Sequence, residues 1–371
     1  MAGLPLPQHS LPDPKPAQAN TPMTISPSRY QLPDSLFYQN RLSQAGDWHY
    51  VLTDRFRELL LRPHKGKQLP VLPSSQPDAL LEGQALAQHF AQLQCLAAPL
   101  LQAEDLEALL ARIQALASSS VDGAIASIML GAWQDYTAQH AINAALLACL
   151  LGQALQLPAD EQHSLTLAAL CMNLGSAGLH NELSHHDGPL STAQRKQIQI
   201  HPLVSSALLY ELGYQQPLLH QCLLGHHERP DGNGYPFRLL ADDISPLALL
   251  LRMIDISTAK LMPRSYRQAV PAQRALAQLY TQQTDEQFDA VHTAQLVKLL
   301  GVYPSGSFVR LASGDTAMVV AQGEQLNRPQ LVLLRDMEQC LDGDSQEITS
   351  QLTVQVEARH LQRLGQLWPL A

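Results

Sequence analysis

From Asp122 to Leu300, every segment of the sequence that has a hydrophobic period has the helical one, with Leu and Ala recurring along one helix face. Leu, Ala and Gln, which dominate these segments, favour helix over strand. Aromatic residues make up only 5% of the chain, which leaves few strand-forming side chains. The sequence therefore predicts a mostly α fold.

Two helix starts in this region have local signals. Pro158 precedes Asp160 and Glu161, so a proline lies near the first turn and two carboxylates lie near the positive end of the helix dipole. Ser191 and Gln194 have the spacing of a capping box. The predicted breaks between helices fall at Leu157-Pro158, 186–189, 229–236 and Met262-Pro263.

Composition and periodicity divide the chain into four predicted units. The first 34 residues are rich in Pro, Gln and Ser and lack a hydrophobic period, which is typical of a disordered tail. Leu and Ala then recur at helical spacing over 77–117. The predicted units are a disordered tail at 1–34, a helical N-terminal module at 35–121, the main helical domain at 122–300 and a small β-containing extension at 301–371.

The C-terminal extension has the pattern of a β-hairpin. Ser307–Leu311 and Thr316–Val320 are apolar runs on either side of a turn, Ala-Ser-Gly-Asp, at 312–315. Leu331–Leu334 is a third candidate strand, and the segment after Asp342 is expected to be partly helical. We therefore predict a small β appendage on a helical protein.

Charge and cysteine content exclude several classes of function. Lys and Arg number 24 and Asp and Glu number 33, so the formal net charge is −9. An excess of acidic residues is the opposite of the basic face that a nucleic-acid-binding protein usually has. A small anionic ligand is still compatible with this charge, because it needs only a few local cations. No stretch approaches the ~20 apolar residues of a membrane span, and the five cysteines form no CxxC pair. We expect a cytoplasmic protein with free thiols.

The densest histidine cluster lies at 226–236, where the sequence is His-His-Glu-Arg-Pro-Asp-Gly-Asn-Gly-Tyr-Pro. Asp-Gly and Asn-Gly dipeptides permit positive φ angles, so this loop can fold back tightly and hold the paired imidazoles against a cavity. Two adjacent histidines alone are weak evidence, whereas the complete string is specific. By contrast, we expect His163, His180, His220 and His292 to be surface residues or hydrogen-bonded core residues.

The complete string resembles the GYP portion of the HD-GYP domain family of cyclic-di-GMP phosphodiesterases. The resemblance covers about a third of the chain, in the family's order and spacing. Tyr136–His140 is similar to the family segment that contains its first conserved-motif histidine, and His201-Pro202 is similar to the His-Pro pair that starts a helix in the family. Arg252–Asp255 is similar to the segment that contains the family's late aspartate. Arg264–Arg267 is similar to the Arg-Pro-Tyr-Arg that follows it.

This resemblance implies an HD-domain-like helical bundle with two or three metal ions, often iron or manganese, that hydrolyses cyclic-di-GMP. Divalent metals lower the pKa of a bound water, which allows a bridging hydroxide at neutral pH. The implied metal ligands are His140, His201, His226, His227 and Asp255. The implied contacts to the nucleotide come from Tyr235, Arg264 and Arg267.

The chain departs from the family at the pair that names it. Leu167–Ser176 is similar to the family's Ala-Leu-Leu-His-Asp-Ile-Gly-Lys, with Met172 at the histidine, Asn173 at the bridging aspartate and Ser176 at the lysine. The early glutamate of three-metal members falls on Tyr136. An amide brings no negative charge to a pair of cations, and a thioether is a soft ligand for Mn or Fe(II). We therefore expect one divalent metal, Fe or Mn, on the retained histidines.

Three functions fit this degenerate pattern. The first, which the sequence favours, is a non-hydrolysing sensor of cyclic-di-GMP or a related nucleotide, or an interaction scaffold. The second is an active metal-dependent phosphodiesterase with a reduced metal site. The third is a structural or signalling module that binds neither metal nor nucleotide. Signalling proteins such as diguanylate cyclase domains are partners of some relatives, but nothing in the sequence selects them.

Overall fold

Helices dominate the fold of this chain, which is described by a computed structural model. The described residues are 38–42, 48–52, 70–95, 101–131, 135–183, 188–262, 271–281, 288–325, 327–341, 346–354 and 356–370. Within them the α-helices are α1 Ala79–Cys95, α2 Ala103–Ser119, α3 Val121–Leu130, α4 Tyr136–Ala154, α5 Ala159–Cys171, α6 Ala177–Leu183, α7 Thr192–Glu211, α8 Pro217–Gly225, α9 Pro246–Leu261, α10 Ala272–Thr281, α11 Ala290–Leu300 and α12 Ala358–Gly365.

Helix α4 is the centre of the helical core. Its side chains are buried on every face from Thr137 to Gly152, against α1, α2, α5 and α9. A helix that is apolar all round has no face for solvent, so it becomes the element that the others surround. The carboxylate of Asp135 accepts a 2.8 Å hydrogen bond from the Ala138 N–H and caps the start of α4. This arrangement places His140 inside the protein.

Among the described residues, no single helix combines the length and apolarity needed to cross a membrane. Helices α2 and α3 together have the length and composition of a span, but they are two helices that meet at a bend of 115°.

The two helix starts with local signals agree with the structure. Helix α5 begins directly after Pro158, with both predicted carboxylates in its first turn. At the start of α7 the Ser191 hydroxyl accepts a hydrogen bond from Gln194 N–H, and the Gln194 side chain accepts one from Ser191 N–H, at 3.2 and 2.9 Å. This reciprocal pair is the predicted capping box.

Five antiparallel strands form the C-terminal sheet, in the order β6-β5-β4-β3-β7. The strands are β3 Phe308–Leu311, β4 Thr316–Ala321, β5 Gln330–Leu333, β6 Asp336–Leu341 and β7 Ile348–Leu352. The predicted hairpin is β3 and β4, with Val309 opposite Ala317, and the third predicted strand is β5. We did not predict β7, because Thr349, Ser350 and Gln351 give it no apolar alternation.

Polar contacts fix the sheet to the helices. The Asp122 carboxylate, in the first turn of α3, accepts hydrogen bonds from Ser305 Oγ at 2.6 Å and from Gln322 N–H at 3.1 Å. The Trp368 indole N–H donates to the Val320 carbonyl at 2.7 Å, while α12, just before it, packs on α1. The C-terminal extension therefore contacts α1 and α3, which both lie in the first part of the helical region.

The predicted N-terminal module, 35–121, is not wholly helical. It contains α1 and α2 but also two antiparallel strands, β1 Tyr38–Leu42 and β2 Trp48–Leu52. Trp, Tyr and Val favour extended backbone. Strand β2 also lies along α7, a long-range contact that the local sequence does not predict. The predicted disordered tail lies outside the described residues. The predicted domain boundary near residue 121 stays a prediction. Helices α2 and α4, on either side of it, contribute to the same hydrophobic core.

Candidate metal centre

Three imidazoles meet between α7 and the end of α8. His201 lies within α7, while His226 and His227 directly follow α8. One ring nitrogen of each lies within 4.8 Å of those of the other two. In the part of the chain that the structure describes, this is the one group of three or more His, Cys, Asp or Glu side chains that could hold a metal ion. We call it the histidine triad.

A proline orients the first ring of the triad. We predicted that His201-Pro202 starts a helix, but the pair lies in the middle of α7, so that prediction is wrong. Because Pro202 has no N–H, it cannot donate to the Ile198 carbonyl four residues earlier. His201 Nδ1 donates to that carbonyl instead, at 2.5 Å. The His-Pro pair thereby fixes the tautomer of His201, with its proton on Nδ1.

The end of α8 orients the second ring in the same way. The last carbonyls of a helix have no partner within the helix. One of them, the Leu223 carbonyl, accepts a 2.7 Å hydrogen bond from His226 Nδ1. Since a carbonyl can only accept, the proton of neutral His226 is on Nδ1, and its Nε2 carries a lone pair.

The geometry of these two rings fits a bound cation. His201 Nε2 and His226 Nε2 are 3.1 Å apart and buried, and each is a bare lone pair in the neutral ring. Two lone pairs at this distance repel each other unless a cation lies between them. Nitrogens that share a metal at about 2.0–2.1 Å lie roughly 2.9–3.4 Å apart. The residues present therefore suit a divalent metal.

Burial keeps the triad in the form that binds metal. It is the largest cause that lowers the pKa of His201, His226 and His227, and the pKa values of His201 and His227 fall well below the ordinary range. Neighbouring imidazoles, His180 among them, add to this effect for His201 and His227. Neutral imidazole is the ligand form, so these rings need not lose a proton before a metal binds.

The other two predicted ligands form a separate pair. His140 Nε2 lies 2.8 Å from Asp255 Oδ1, between α4 and α9. Burial alone would raise the pKa of Asp255, but the hydrogen bond and the charge of His140 hold it below the ordinary value. His140 Nδ1 is buried and has no hydrogen-bond partner among the described atoms. This pair could contribute two ligands to a second ion.

Met172 and Asn173 lie buried at the end of α5. The Ser205 hydroxyl, one helical turn after His201, donates to the Met172 carbonyl at 2.8 Å and accepts from Gly175 N–H at 2.9 Å. Ser176 Oγ is buried, and no described atom makes a hydrogen bond with it. The segment from Met172 to Gly175 is thus held directly against the helix that carries His201.

Gly175→Ala is expected to destabilise the protein by about 1–3 kcal/mol, because an added methyl would overpack this contact. A Cβ at 175 would lie 2.5 Å from the His201 carbonyl oxygen and 2.7 Å from the Val204 Cβ. Chemical denaturation measures the loss. The control is Gly178→Ala, where a Cβ meets no atom within 4 Å. Equal stability of the two variants would contradict this close packing.

The loop after α8 is held by one buried carboxylate. Glu228 is fully buried and accepts hydrogen bonds from the backbone N–H groups of Phe237, Arg238 and Leu239. Burial raises the pKa of Glu228 even though these three donors oppose that shift. Glu228 thus ties the start of the loop to its end.

The two glycines of the loop serve different purposes. Gly232 has the predicted positive φ, at 75°. Gly234 does not, and a Cβ there would collide with the backbone of Glu228 and Arg229. Glycine at 234 therefore allows close approach, not a left-handed turn. The fold of the loop stacks the Tyr235 ring on His227, with centroids 4.6 Å apart.

Two predicted nucleotide contacts, Arg264 and Arg267, lie outside the described residues. His220 is a hydrogen-bonded core residue, as we expected, with its ring bonded to Ser206 and to the Tyr214 carbonyl. His180 is different, since its ring lies 5.5 Å from that of His201. No local pattern signals this contact, because the two residues lie on different helices.

The chain has a clear relation to known proteins. The family described as "HD domain" matches residues 103–291, just over half of the chain. Cyclic di-GMP phosphodiesterase PA4108 of Pseudomonas aeruginosa is 29% identical over 53% of this chain and 47% of its own. The 3'3'-cGAMP-specific phosphodiesterase 3 of Vibrio cholerae is 30% identical over 47% of this chain and 38% of its own. The chain thus spans less than half the length of these relatives.

A solved structure, titled "Bd1817, a HDG"Y"P protein from Bdellovibrio bacteriovorus", matches 69% of this chain and 84% of its own, with 17% identity and a TM-score of 0.46. The predicted mostly α, HD-like fold is confirmed by the helical architecture and the family match. The chain belongs to the HD domain family, and its domain is of the HD-GYP type.

Proposed function

We propose that this chain is a cyclic-dinucleotide-signalling protein that binds one divalent metal on the histidine triad and does not hydrolyse its ligand. One observation carries the proposal: in the described regions, the group that could hold a metal ion consists of three imidazoles without a carboxylate, and Asp255 pairs with His140 instead. The relatives named above are phosphodiesterases for cyclic di-GMP or 3'3'-cGAMP, which supports the ligand class.

The loss of hydrolysis follows from the side chains at the end of α5. A bound divalent metal supplies Lewis acidity and lowers the pKa of a bound water. A pair of cations side by side needs an anionic ligand to offset their repulsion, and Asn173 offers only a neutral amide. Met172 offers a thioether, which suits soft metals and not Mn or Fe(II). The triad alone therefore supports one ion.

The residues for nucleotide binding are better retained. Tyr235 presents a ring that the Glu228-anchored loop holds against His227. Guanidinium groups form paired hydrogen bonds with phosphate, and this is the role we propose for Arg264 and Arg267. Together these residues suit a dianionic cyclic dinucleotide despite the net negative charge of the chain.

The retained His140–Asp255 pair favours one alternative. If this pair contributes to a second, weaker ion, the chain is an active phosphodiesterase with a reduced metal site. A module that binds neither metal nor nucleotide remains the third hypothesis. Partner proteins such as diguanylate cyclase domains stay a hypothesis for the scaffold role.

His226→Ala is expected to reduce the metal content from about one ion per chain to nearly none, because it removes one of three ligands. Elemental analysis after purification without chelator measures the content. On the same preparation, calorimetry measures binding of cyclic di-GMP and chromatography measures its hydrolysis. We expect the wild-type chain to bind the nucleotide and to leave it intact.

The matched control is His360→Ala, an exposed histidine on α12. It should retain the wild-type metal content. Turnover by the wild-type chain that disappears in His226→Ala would overturn the non-hydrolysing function and support the alternative. A wild-type chain without metal would contradict the triad as a metal site.

A further inference from the structure

We propose that Arg238 is a further residue that determines affinity for the ligand, because its charge attracts the phosphates of a cyclic dinucleotide bound beside Tyr235. The inference rests on the proposed function, since it requires a ligand of that class at the loop. It concerns a residue that lies just beyond the predicted loop motif at 226–236 and belongs to none of the motifs described above.

The backbone of Arg238 has a conformation that favours glycine. Its φ is 59°, and among the described residues Gln156, with a φ of 55°, is the one other residue besides glycines that has a positive φ. A side chain in this left-handed region has a steric cost that glycine avoids. A bulky residue in such a conformation points to a requirement for its side chain.

The hydrogen bonds to Glu228 explain the backbone of Arg238 but not its side chain. The successive N–H groups of Phe237, Arg238 and Leu239 converge on the Glu228 carboxylate. Successive N–H groups can converge on one anion when a residue among them is left-handed. Glycine at 238 would donate the same N–H without the steric cost. The loop therefore needs the left-handed backbone, but it does not need an arginine.

Gln156 has a purely structural reason for its positive φ. It follows α4, and a left-handed residue commonly ends a helix. The Leu157 N–H donates to the Gly152 carbonyl at 3.0 Å, which is the closing hydrogen bond of such a helix end. Gln156 is exposed and lies beyond the opposite end of α4 from His140, roughly 20 Å along the helix axis. It therefore provides a matched control for Arg238.

The arginine side chain is exposed and lies near the ring that we propose for nucleotide binding. Phe237 and Leu239 on either side of Arg238 are buried, and the guanidinium has no hydrogen-bond or ion-pair partner among the described residues. Tyr235 is held by a 3.2 Å hydrogen bond from its N–H to the His227 carbonyl. Arg238 follows three residues later, so the two Cα atoms are at most about 11 Å apart.

This separation is comparable to the Debye length of about 10 Å at 0.1 M salt, so the charge of Arg238 acts on an anion bound at Tyr235. The net charge of the chain, −9, would otherwise repel a ligand with two phosphates. A local cation on the loop offsets that repulsion.

The test compares Arg238→Gln with Arg238→Lys in the full-length chain, by calorimetric titration with cyclic di-GMP at about 50 and about 200 mM salt. Gln156 shows that glutamine adopts this backbone conformation in the same chain, so Arg238→Gln removes the charge and keeps the conformation. We expect Arg238→Gln to weaken binding about three- to ten-fold at the lower salt concentration and less at the higher one, because salt screens the charge. Arg238→Lys keeps the charge and should stay within about two-fold of the wild type.

Arg238→Gly separates binding from folding. It should unfold at a temperature no lower than that of the wild type, because glycine adopts a positive φ without steric cost, and it should bind as weakly as Arg238→Gln. Gln156→Gly makes the same backbone change far from the loop and should bind cyclic di-GMP as the wild type does.

The outcomes distinguish this inference from the proposed function. If the wild type binds cyclic di-GMP and both Arg238→Gln and Arg238→Gly bind it equally tightly at the lower salt concentration, the charge has no part in binding. The inference is then overturned while the proposed function stands. If the wild type itself does not bind cyclic di-GMP, the proposed function is overturned, and this inference with it.

Discussion

The double substitution Met172→His/Asn173→Asp is expected to raise the metal content from about one to about two ions per chain and to produce hydrolysis of cyclic di-GMP. Both side chains are buried at the end of α5, and Ser205 holds this segment beside His201. The new carboxylate would supply the negative charge that a second cation requires. Elemental analysis and chromatography of the nucleotide products measure the two effects.

The single variant Asn173→Asp is the control for charge alone. A carboxylate at a position only 6% exposed is costly unless it is paired, so the metal-free variant should unfold at a lower temperature. Added metal should restore more stability to the double variant than to the wild type. A double variant that folds and binds no additional metal would show that Met172 and Asn173 are not the positions of the family pair.

Glu228→Ala is expected to lower the free energy of unfolding by about 3–5 kcal/mol, the largest stability loss that we predict from one substitution. The Glu228 carboxylate accepts from the N–H groups of Phe237, Arg238 and Leu239 at 2.6, 3.2 and 2.9 Å. Two of these donor residues, Phe237 and Leu239, are buried, so water cannot easily replace the lost acceptor. Urea denaturation followed by circular dichroism measures the loss.

The same substitution should weaken nucleotide binding, because the loop that presents Tyr235 would no longer be tied at its start. Asp231→Ala is the control within the loop: this side chain is exposed and accepts from the Asn233 N–H, so its loss should cost much less. If Glu228→Ala were as stable as Asp231→Ala, the three hydrogen bonds would not be what holds the loop.

Local signals explain why part of the site was predictable. His226, His227 and Tyr235 lie within one loop, and its glycines and its carboxylate are close in sequence to the residues they position. Helix periodicity and the capping residues of α5 and α7 are also short-range, so these elements agree with the prediction. His201, a predicted ligand, lies beside His226 and His227, but the prediction that His201-Pro202 starts a helix is wrong, because the pair lies within α7.

Contacts across the core could not be predicted from short-range signals in the sequence. The 3.1 Å separation of His201 and His226, the position of His180 and the strands at 38–52 all depend on how distant segments pack against one another. The chain's residue pattern predicts a helical HD-type domain, because periodicity and motif spacing are properties of neighbouring residues. The geometry of the histidine triad arises from the packing of α7 against the end of α8, since close packing alone sets distances between residues far apart in the chain.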